Sequence, residues 1–463
     1  MSKYSEKQNH LQALLSHIDV DYCEVHLVDN RSLIIQYQGT DLETIQARSI
    51  YGGNVRALHK GGWGFASFND YDELEANILL ACEQAKVAGS IVEGTSLLAA
   101  VPVVVDDICP KWTLHPEAVS LAEKLRILGH YQHLVLNHEY IPSVFVKYEE
   151  LCSTEWYANS EGTCIRQEKL DFSACINANG QKNGVSVFEG VRVGSSLGID
   201  CLLNLDQKIL DMCELTQKLL DAPQMKAGIY TVVCSPAQAG IFVHEAFGHL
   251  SEADTTARNA EFLKAMTIGR RIGRPILNIY DTGSYQTSRG SLVYDDEGVL
   301  CRRADLVKDG ILVGRLHNRW SAAFLGEEPT GNARAVNFTF PPIVRMRSTC
   351  IEAGEHSFED MIRDIEFGVY VSTSGGGETN GEMFNFSASH AYMIRNGQIA
   401  ELVRDLKLMG NVFTTMENID MIGNDSRADD GPGGCGKGPQ MPLPVSGTCP
   451  HIRIKDMIIG GIE

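Results

Sequence analysis

Ser235-Pro236-Ala237-Gln238-Ala239-Gly240-Ile241-Phe242-Val243-His244-Glu245-Ala246-Phe247-Gly248-His249 is the segment from which the rest of the chain can be read. Ser235 is a good helix N-cap, and Pro236 stands at the first helical position, where its missing N–H costs nothing. The residues that follow are apolar nearly all round, the pattern of a helix enclosed by protein. Burying an unpartnered imidazole or carboxylate in such a place costs roughly several kcal/mol. A divalent cation gives His-Glu-x-x-x-His a reason to be there: two imidazoles ligate it and the carboxylate works on its water. The common zinc-peptidase helix carries its histidines four apart, on one face. His244 and His249 are five apart, roughly 140° on an ideal α-helix. They converge only if the helix widens into a π-turn or ends between them, and Gly248 permits either. The bland alternative is a pair of satisfied core or capping histidines.

The surrounding pattern sets the fold class. A strand over 228–234 leads into the helix, and the rest of the second half is rich in glycine and short strands, with one further helical stretch over 357–367. Upstream, helical spacing marks residues 7–18, 71–88, 116–136 and 205–220. Strand patterns mark 23–28 and 32–37, joined by an Asp29-Asn30 turn, and then 54–67, 143–147, 155–158, 173–178 and 184–193, separated by Asn-Gly and Glu-Gly turn signals. Strands in runs with separate helices argue for an α+β protein. Ala222-Pro223 breaks the last of these helices and suggests two domains. Residues 1–222 are a mixed strand and helix domain, and residues 223–463 a strand-rich domain carrying the metal helix.

Composition narrows the function. The chain has 463 residues, enough for a large core, and a formal charge of -19. So acidic a surface repels phosphate backbones and argues against a nucleic-acid partner. The 13 cysteines form no C-x-x-C pair and no repeating spacing, which points to a reducing cytoplasm rather than a disulfide framework. Residues 1–18 lack the apolar run of a signal peptide, and the longest apolar stretch, 97–105, is too short to span a bilayer.

Two histidines leave a zinc site short of a ligand. Glu252 and Asp254 lie nearby, and Cys435 is the distant alternative, which the glycine-rich stretch Gly431-Pro432-Gly433-Gly434-Cys435-Gly436-Lys437-Gly438-Pro439-Gln440 is expected to display. That stretch also satisfies the spacing of a phosphate-binding loop. However, Gly438 replaces the Ser or Thr, Pro439 and Pro442 forbid the following helix, and Asp425, Asp429 and Asp430 would repel phosphate.

At these motifs the sequence resembles the TldD/PmbA proteins, also called modulators of DNA gyrase. The resemblance covers nearly the whole chain: Tyr22-Cys23-Glu24-Val25, residues 52–66, His244 to His249, Tyr294-Asp295-Asp296-Glu297-Gly298, Gly375-Gly376-Gly377-Glu378 through Phe386, and Gly434-Cys435-Gly436-Lys437. It implies a zinc-dependent peptidase of small or unfolded polypeptides. It also implies a dimer, of two such chains or with a PmbA-type subunit, that admits peptide through a narrow channel. The TldD type keeps the metal helix and the cysteine, as this chain does. Carried over by position, His244, His249 and Cys435 become the ligands and Glu245 the general base, with Glu252 and Asp254 left outside the ligand set.

The glycine-rich segment 374–381 suggests close approach of a substrate backbone, with Gly375, Gly376 and Gly377 as the binding residues, although a set of plain turns explains it equally. The Asp295 to Gly298 segment reads as a hairpin turn. His317, Arg319 and His390 are the candidates for a second oxyanion donor, each equally explained as a structural residue. Three rival readings remain. They are a non-catalytic subunit with a structural zinc site, a metal-free enzyme with Cys435 as nucleophile, and a binding module for gyrase or another partner.

Overall fold

The computed structural model describes residues 3–92, 97–285, 287–373, 375–429, 431 and 433–461. Ser374, Asp430 and Pro432, which the sequence reading placed in the glycine-rich segment, in the acidic stretch and in the cysteine loop, lie outside them.

The N-terminal half is one sheet with helices on a single face. Its strands are β1 (Tyr22–Gln38), β2 (Asp41–His59), β3 (Gly62–Phe68), β4 (Val105–Ile108), β5 (Ser143–Asn159), β6 (Cys164–Lys182) and β7 (Val185–Ser195). The order is β3-β2-β1-β5-β6-β4, with β7 also paired to β6. Alternate residues of β1 share a face. Cys23, Val25 and Leu27 pack under helices α1 (Lys3–Leu15) and α2 (Leu74–Gly89), whereas Ile35 and Tyr37 pack under α3 (Leu121–Leu136) and α4 (Asp206–Asp221). The interval between the two cores explains a correction. Asp29-Asn30 is not a turn, and residues 23–28 and 32–37 are one strand that pairs without a break to Glu155, Thr154 and Ser153 of β5. Asp29 and Arg31 line a groove between the helix pairs, where Arg31 meets Glu117. The true turn is Gly39-Thr40, with Gly39 at φ +57°. Segments 143–147 and 155–158 are likewise one strand, β5, whereas the Asn183-Gly184 turn stands as read, both residues at positive φ.

The C-terminal half holds a second large sheet. Its strands run in the order Phe367–Val371, β8 (Gly228–Cys234), Ile452–Gly461, Gln398–Asn411, Met383–Arg395 and Gly377–Asn380. Phe367–Val371 pairs with Met383–Arg395 as well as with β8, which closes five of these strands on themselves and leaves Gly377–Asn380 as an open edge. Helix α5 (Pro236–Val243) packs between this sheet and a six-stranded one built on Ile279–Thr282, Ser348–Ile351 and Ser446–Cys449. The stretch 357–367 is a single helical turn, Phe358–Ile362, and Phe367 already begins a strand. The architecture is α+β, with a strand-rich C-terminal region. Among the described residues no helix is long and apolar enough to cross a membrane.

Candidate metal centre

Ser235 caps α5 through its side chain, which accepts from the Gln238 N–H at 3.3 Å. Apolar contacts then lock the helix in place, and Phe242 sits edge-on to Phe384 and Phe386 at 5.6 and 6.0 Å. After Val243 the ladder widens. His244–Gly248 is a π-turn, and the His249 N–H reaches the carbonyl of His244, five residues back. The extra residue in the turn absorbs the divergence that five-residue spacing imposes on an α-helix. Gly248 lies at its crowded end, where a Cβ would lie 2.0 Å from Met346 Sδ and the methionine would have to shift.

The two imidazoles therefore face one another, ring centres 5.2 Å apart and nearly perpendicular. Cys435 enters from a hairpin of Cys435–Lys437 and Gln440–Leu443, whose turn contains Gly438 at φ +57°. Its Sγ is 3.3 Å from His249 Nε2. One donor atom from each of His244, His249 and Cys435 lies within 4.8 Å of the others. Zinc bond lengths and tetrahedral angles put ligand atoms roughly 3.3–3.6 Å apart, so these three need only small rotations to hold the ion. Cys435 is not displayed, as its glycine-rich setting suggested, but buried. The fully buried Arg345 donates to the carbonyls of Cys435 at 2.5 Å and Gln440 at 3.1 Å, anchoring both strands of the hairpin.

The electrostatics match a cation site. Burial alone would push the Cys435 thiol up. Its hydrogen bonds to His244 and His249, and their charge, prevail and bring it down to about 5. Burial likewise works against the His249 imidazolium, but its bonds to Cys435 and Glu252 hold it up at about 11. Without metal the pair is a thiolate and an imidazolium, and the proton between them is what a divalent ion displaces. The Glu245 carboxyl is raised, first by burial, with the neighbouring histidines offsetting part of the effect. Its Oε2 lies 3.8 Å from His249 Nε2, beside the donor triangle.

Glu252 and Asp254, the nearby alternatives, stand outside that triangle. Glu252 accepts from His249 Nδ1 at 3.2 Å, and Asp254 meets Lys437 at 2.6 Å. His317 is bound to Glu327 and Ser321, Arg319 to Glu161, and His390 to Glu189, and none of the three lines the metal cavity. Asp295 to Gly298 is a tight turn, with Asp295 Oδ1 accepting from the N–H groups of Glu297 and Val299. Among the described residues no helix follows Lys437; the chain turns back into the strand Gln440–Leu443.

The cluster opens onto a cavity of about 520 Å³ that contains His244, Glu245, Cys435 and Gly375 to Gly377. Gly375 and Gly376 already bond to Ser387, so the three glycines extend the open edge strand. Sequence reasoning missed the opposite wall, Cys175 and Asn177 of β6 and Arg192 of β7. Cys175 pairs with Arg192 and Asn177 with Gly190, which puts all four on one face, a relation no linear motif reveals. Asn177 Oδ1 is buried without a partner. A second cavity of about 340 Å³, lined by His249, Glu252, Thr379, Gly381 and Lys437, lies at the other end of the edge strand. A larger groove of about 610 Å³ lies on the helix-bearing face of the N-terminal sheet, and none of the cluster residues lines it.

Residues 227–461 match the family model described as PmbA/TldA metallopeptidase C-terminal domain, and residues 23–88 match PmbA/TldA metallopeptidase domain 1. A Synechocystis protein named a metalloprotease is 42% identical over 444 residues, 95% of each chain. A Saccharolobus solfataricus protein named a zinc metalloprotease TldD homolog is 34% identical over 70% of this chain and 72% of its own. The crystal structure of TldE from Thermococcus kodakarensis superposes with a TM-score of 0.76 at 17% identity, covering 99% of this chain and all of that one, which is a likeness of fold.

Proposed function

Since the chain belongs to the PmbA/TldA metallopeptidase family, we propose that it is a zinc-dependent peptidase of small or unfolded polypeptides with Glu245 as its general base. The observation that carries this reading is the π-turn, which gathers His244, His249 and the distant Cys435 within 4.8 Å beside a carboxylate and an open cavity. Two imidazoles and a thiolate are good zinc donors, and three protein ligands leave a position open, as in catalytic rather than structural sites. Bound there, zinc supplies Lewis acidity toward water and the scissile carbonyl. The chain's own residues do the rest. Glu245 takes the proton of the attacking water at its carboxylate and returns it to the leaving amine, a task suited to a carboxyl raised by burial. The peptide adds as a strand beside Gly377–Asn380, the edge strand of its sheet among the described residues, and Gly375, Gly376 and Gly377 line the cavity there and leave room for close approach. Cys175, Asn177 and Arg192 form the opposite wall, against which the peptide's other side rests.

Two domains, residues 1–222 and 223–463, are part of the proposal. So are a cytoplasmic setting and a dimer, either of two such chains or with a TldE-like, PmbA-type subunit. The thiolate beside His249 also favours a second reading, Cys435 as a nucleophile that needs no metal.

One experiment separates the readings. Glu245→Gln should keep zinc while cleavage of an unstructured peptide falls by about 10²–10⁴-fold. A chelator should stop the wild type, and added zinc should restore it. Cleavage that resists the chelator and vanishes in Cys435→Ser overturns the zinc mechanism in favour of the thiol. Stoichiometric zinc with no cleavage of any peptide favours a scaffold.

A further inference from the structure

We propose that Lys437 is a positioning residue for the metal centre: it holds Glu252 against His249, so that one hairpin delivers both a ligand and the group that orients another. The proposal rests on the zinc reading above. Its basis is a chain of contacts. Lys437 Nζ lies 3.1 Å from Glu252 Oε2 and 2.6 Å from Asp254 Oδ1, and it donates to the Val344 carbonyl at 2.9 Å. Two of those partners, Asp254 and the Val344 carbonyl, accept hydrogen bonds, and Glu252 is held as an ion pair. Glu252 is 2% exposed, and the same Oε2 faces His249 Nδ1 at 3.2 Å. A carboxylate enclosed to that degree needs a cation beside it, and Lys437 supplies one that stays charged when His249 gives up its proton to a metal.

The geometry gives the contact a consequence at the metal. A ligating imidazole is aimed by whatever its other nitrogen bonds. Glu252 takes Nδ1, which leaves Nε2 turned toward Cys435 Sγ, 3.3 Å away. Lys437 stands two residues from Cys435 on one strand, and Arg345 fixes that strand by bonding the Cys435 carbonyl. Docking of the hairpin therefore sets the thiolate and the Glu252–His249 pair together. The Gly-Lys that imitates a phosphate-binding loop in the sequence has this occupation instead.

Zinc affinity measured by competition with a chromogenic chelator tests the proposal, together with the visible spectrum of the cobalt-loaded protein. Lys437→Met should weaken zinc binding by about 10–100-fold, and Lys437→Arg should recover most of the loss. Glu252→Gln should weaken it comparably. The double variant should be no worse than the poorer single, because both act through one contact chain. The cobalt bands should move in Lys437→Met, which a contact serving stability alone would not cause. The Glu252→Gln and Lys437→Arg measurements keep the test decisive should Lys437→Met fold poorly. Wild-type affinity and an unchanged cobalt spectrum in both Lys437→Met and Glu252→Gln would overturn the proposal and leave the zinc reading standing. A wild type that binds neither metal would overturn both.

Discussion

Gly248→Ala places a methyl carbon 2.0 Å from Met346 Sδ, where contact needs about 3.5–4.0 Å. Met346 is fully buried, so its side chain has no solvent to swing into. Overpacking of this kind costs about 1–3 kcal/mol. The strain can relax in two ways. Either Met346 is forced into a poorer rotamer, or the π-turn reverts toward α-helical geometry and carries His249 away from His244. The second route takes the strain out of metal binding, and 1–3 kcal/mol corresponds to about 5- to 150-fold in zinc affinity. Zinc affinity and the thermal midpoint of the metal-free protein, measured side by side, divide the cost between the two routes. Met346→Ala should relieve the clash, so the double variant should bind zinc more tightly than Gly248→Ala alone. Equal stability and equal zinc affinity in wild type and Gly248→Ala would refute the claim that the turn depends on a missing side chain.

Three further outcomes are expected. In the chelator-treated protein the Cys435–His249 pair contributes to stability with a defined pH window. The thiolate contribution, present above the usual thiol value of 9.0, fades as pH falls through about 5. The imidazolium contribution, present below the usual 6.5, fades as pH rises through about 11. The midpoint difference between wild type and Cys435→Ser should therefore change toward both extremes, and a difference flat from acid to alkali would contradict the pairing. Asn177→Ala removes a polar side chain from the cavity wall and should raise KM by about 2- to 12-fold, about 0.5–1.5 kcal/mol, with zinc content unchanged; an unaltered KM would remove Asn177 from the peptide site. Arg345→Met strips the Cys435 and Gln440 carbonyls of a buried donor, at about 1–3 kcal/mol each. It should lower the unfolding midpoint, and calorimetry showing no change would mean that the hairpin is held by other contacts.

The sequence was most legible where local chemistry decides the structure. The strand over 228–234, the Ser235 cap and the start of the helix at Pro236 follow from capping and periodicity, and the structure places all three there. Five-residue spacing with a glycine before the second histidine left two ways for the rings to meet, a widened turn or a helix that ends between them, and the structure takes the first. Legibility failed where distant partners override local preference. Asp29-Asn30 has the composition of a turn, yet β2 and β5 pair with it on both sides and hold it extended. Cys435 lies among glycines that suggest exposure, but Arg345, 90 residues away, pins its hairpin into the core. Glu252 was read as an alternative ligand, since nothing in the linear sequence says that Lys437 occupies its other flank. The wall formed by Asn177 and Arg192 depends on the register of β6 against β7, which carries no motif.

The central claim is that this chain closes a zinc site from His244, His249 and Cys435, and metal content per chain tests it most directly. Elemental analysis of untagged protein dialysed against a trace of zinc should give close to one ion per chain, and Cys435→Ala should lose most of it while keeping the wild-type far-ultraviolet circular dichroism. Wild-type protein that stays metal-free after zinc is supplied, alone and with a TldE-like partner present, would contradict the account. So would a Cys435→Ala protein that holds zinc as firmly as the wild type.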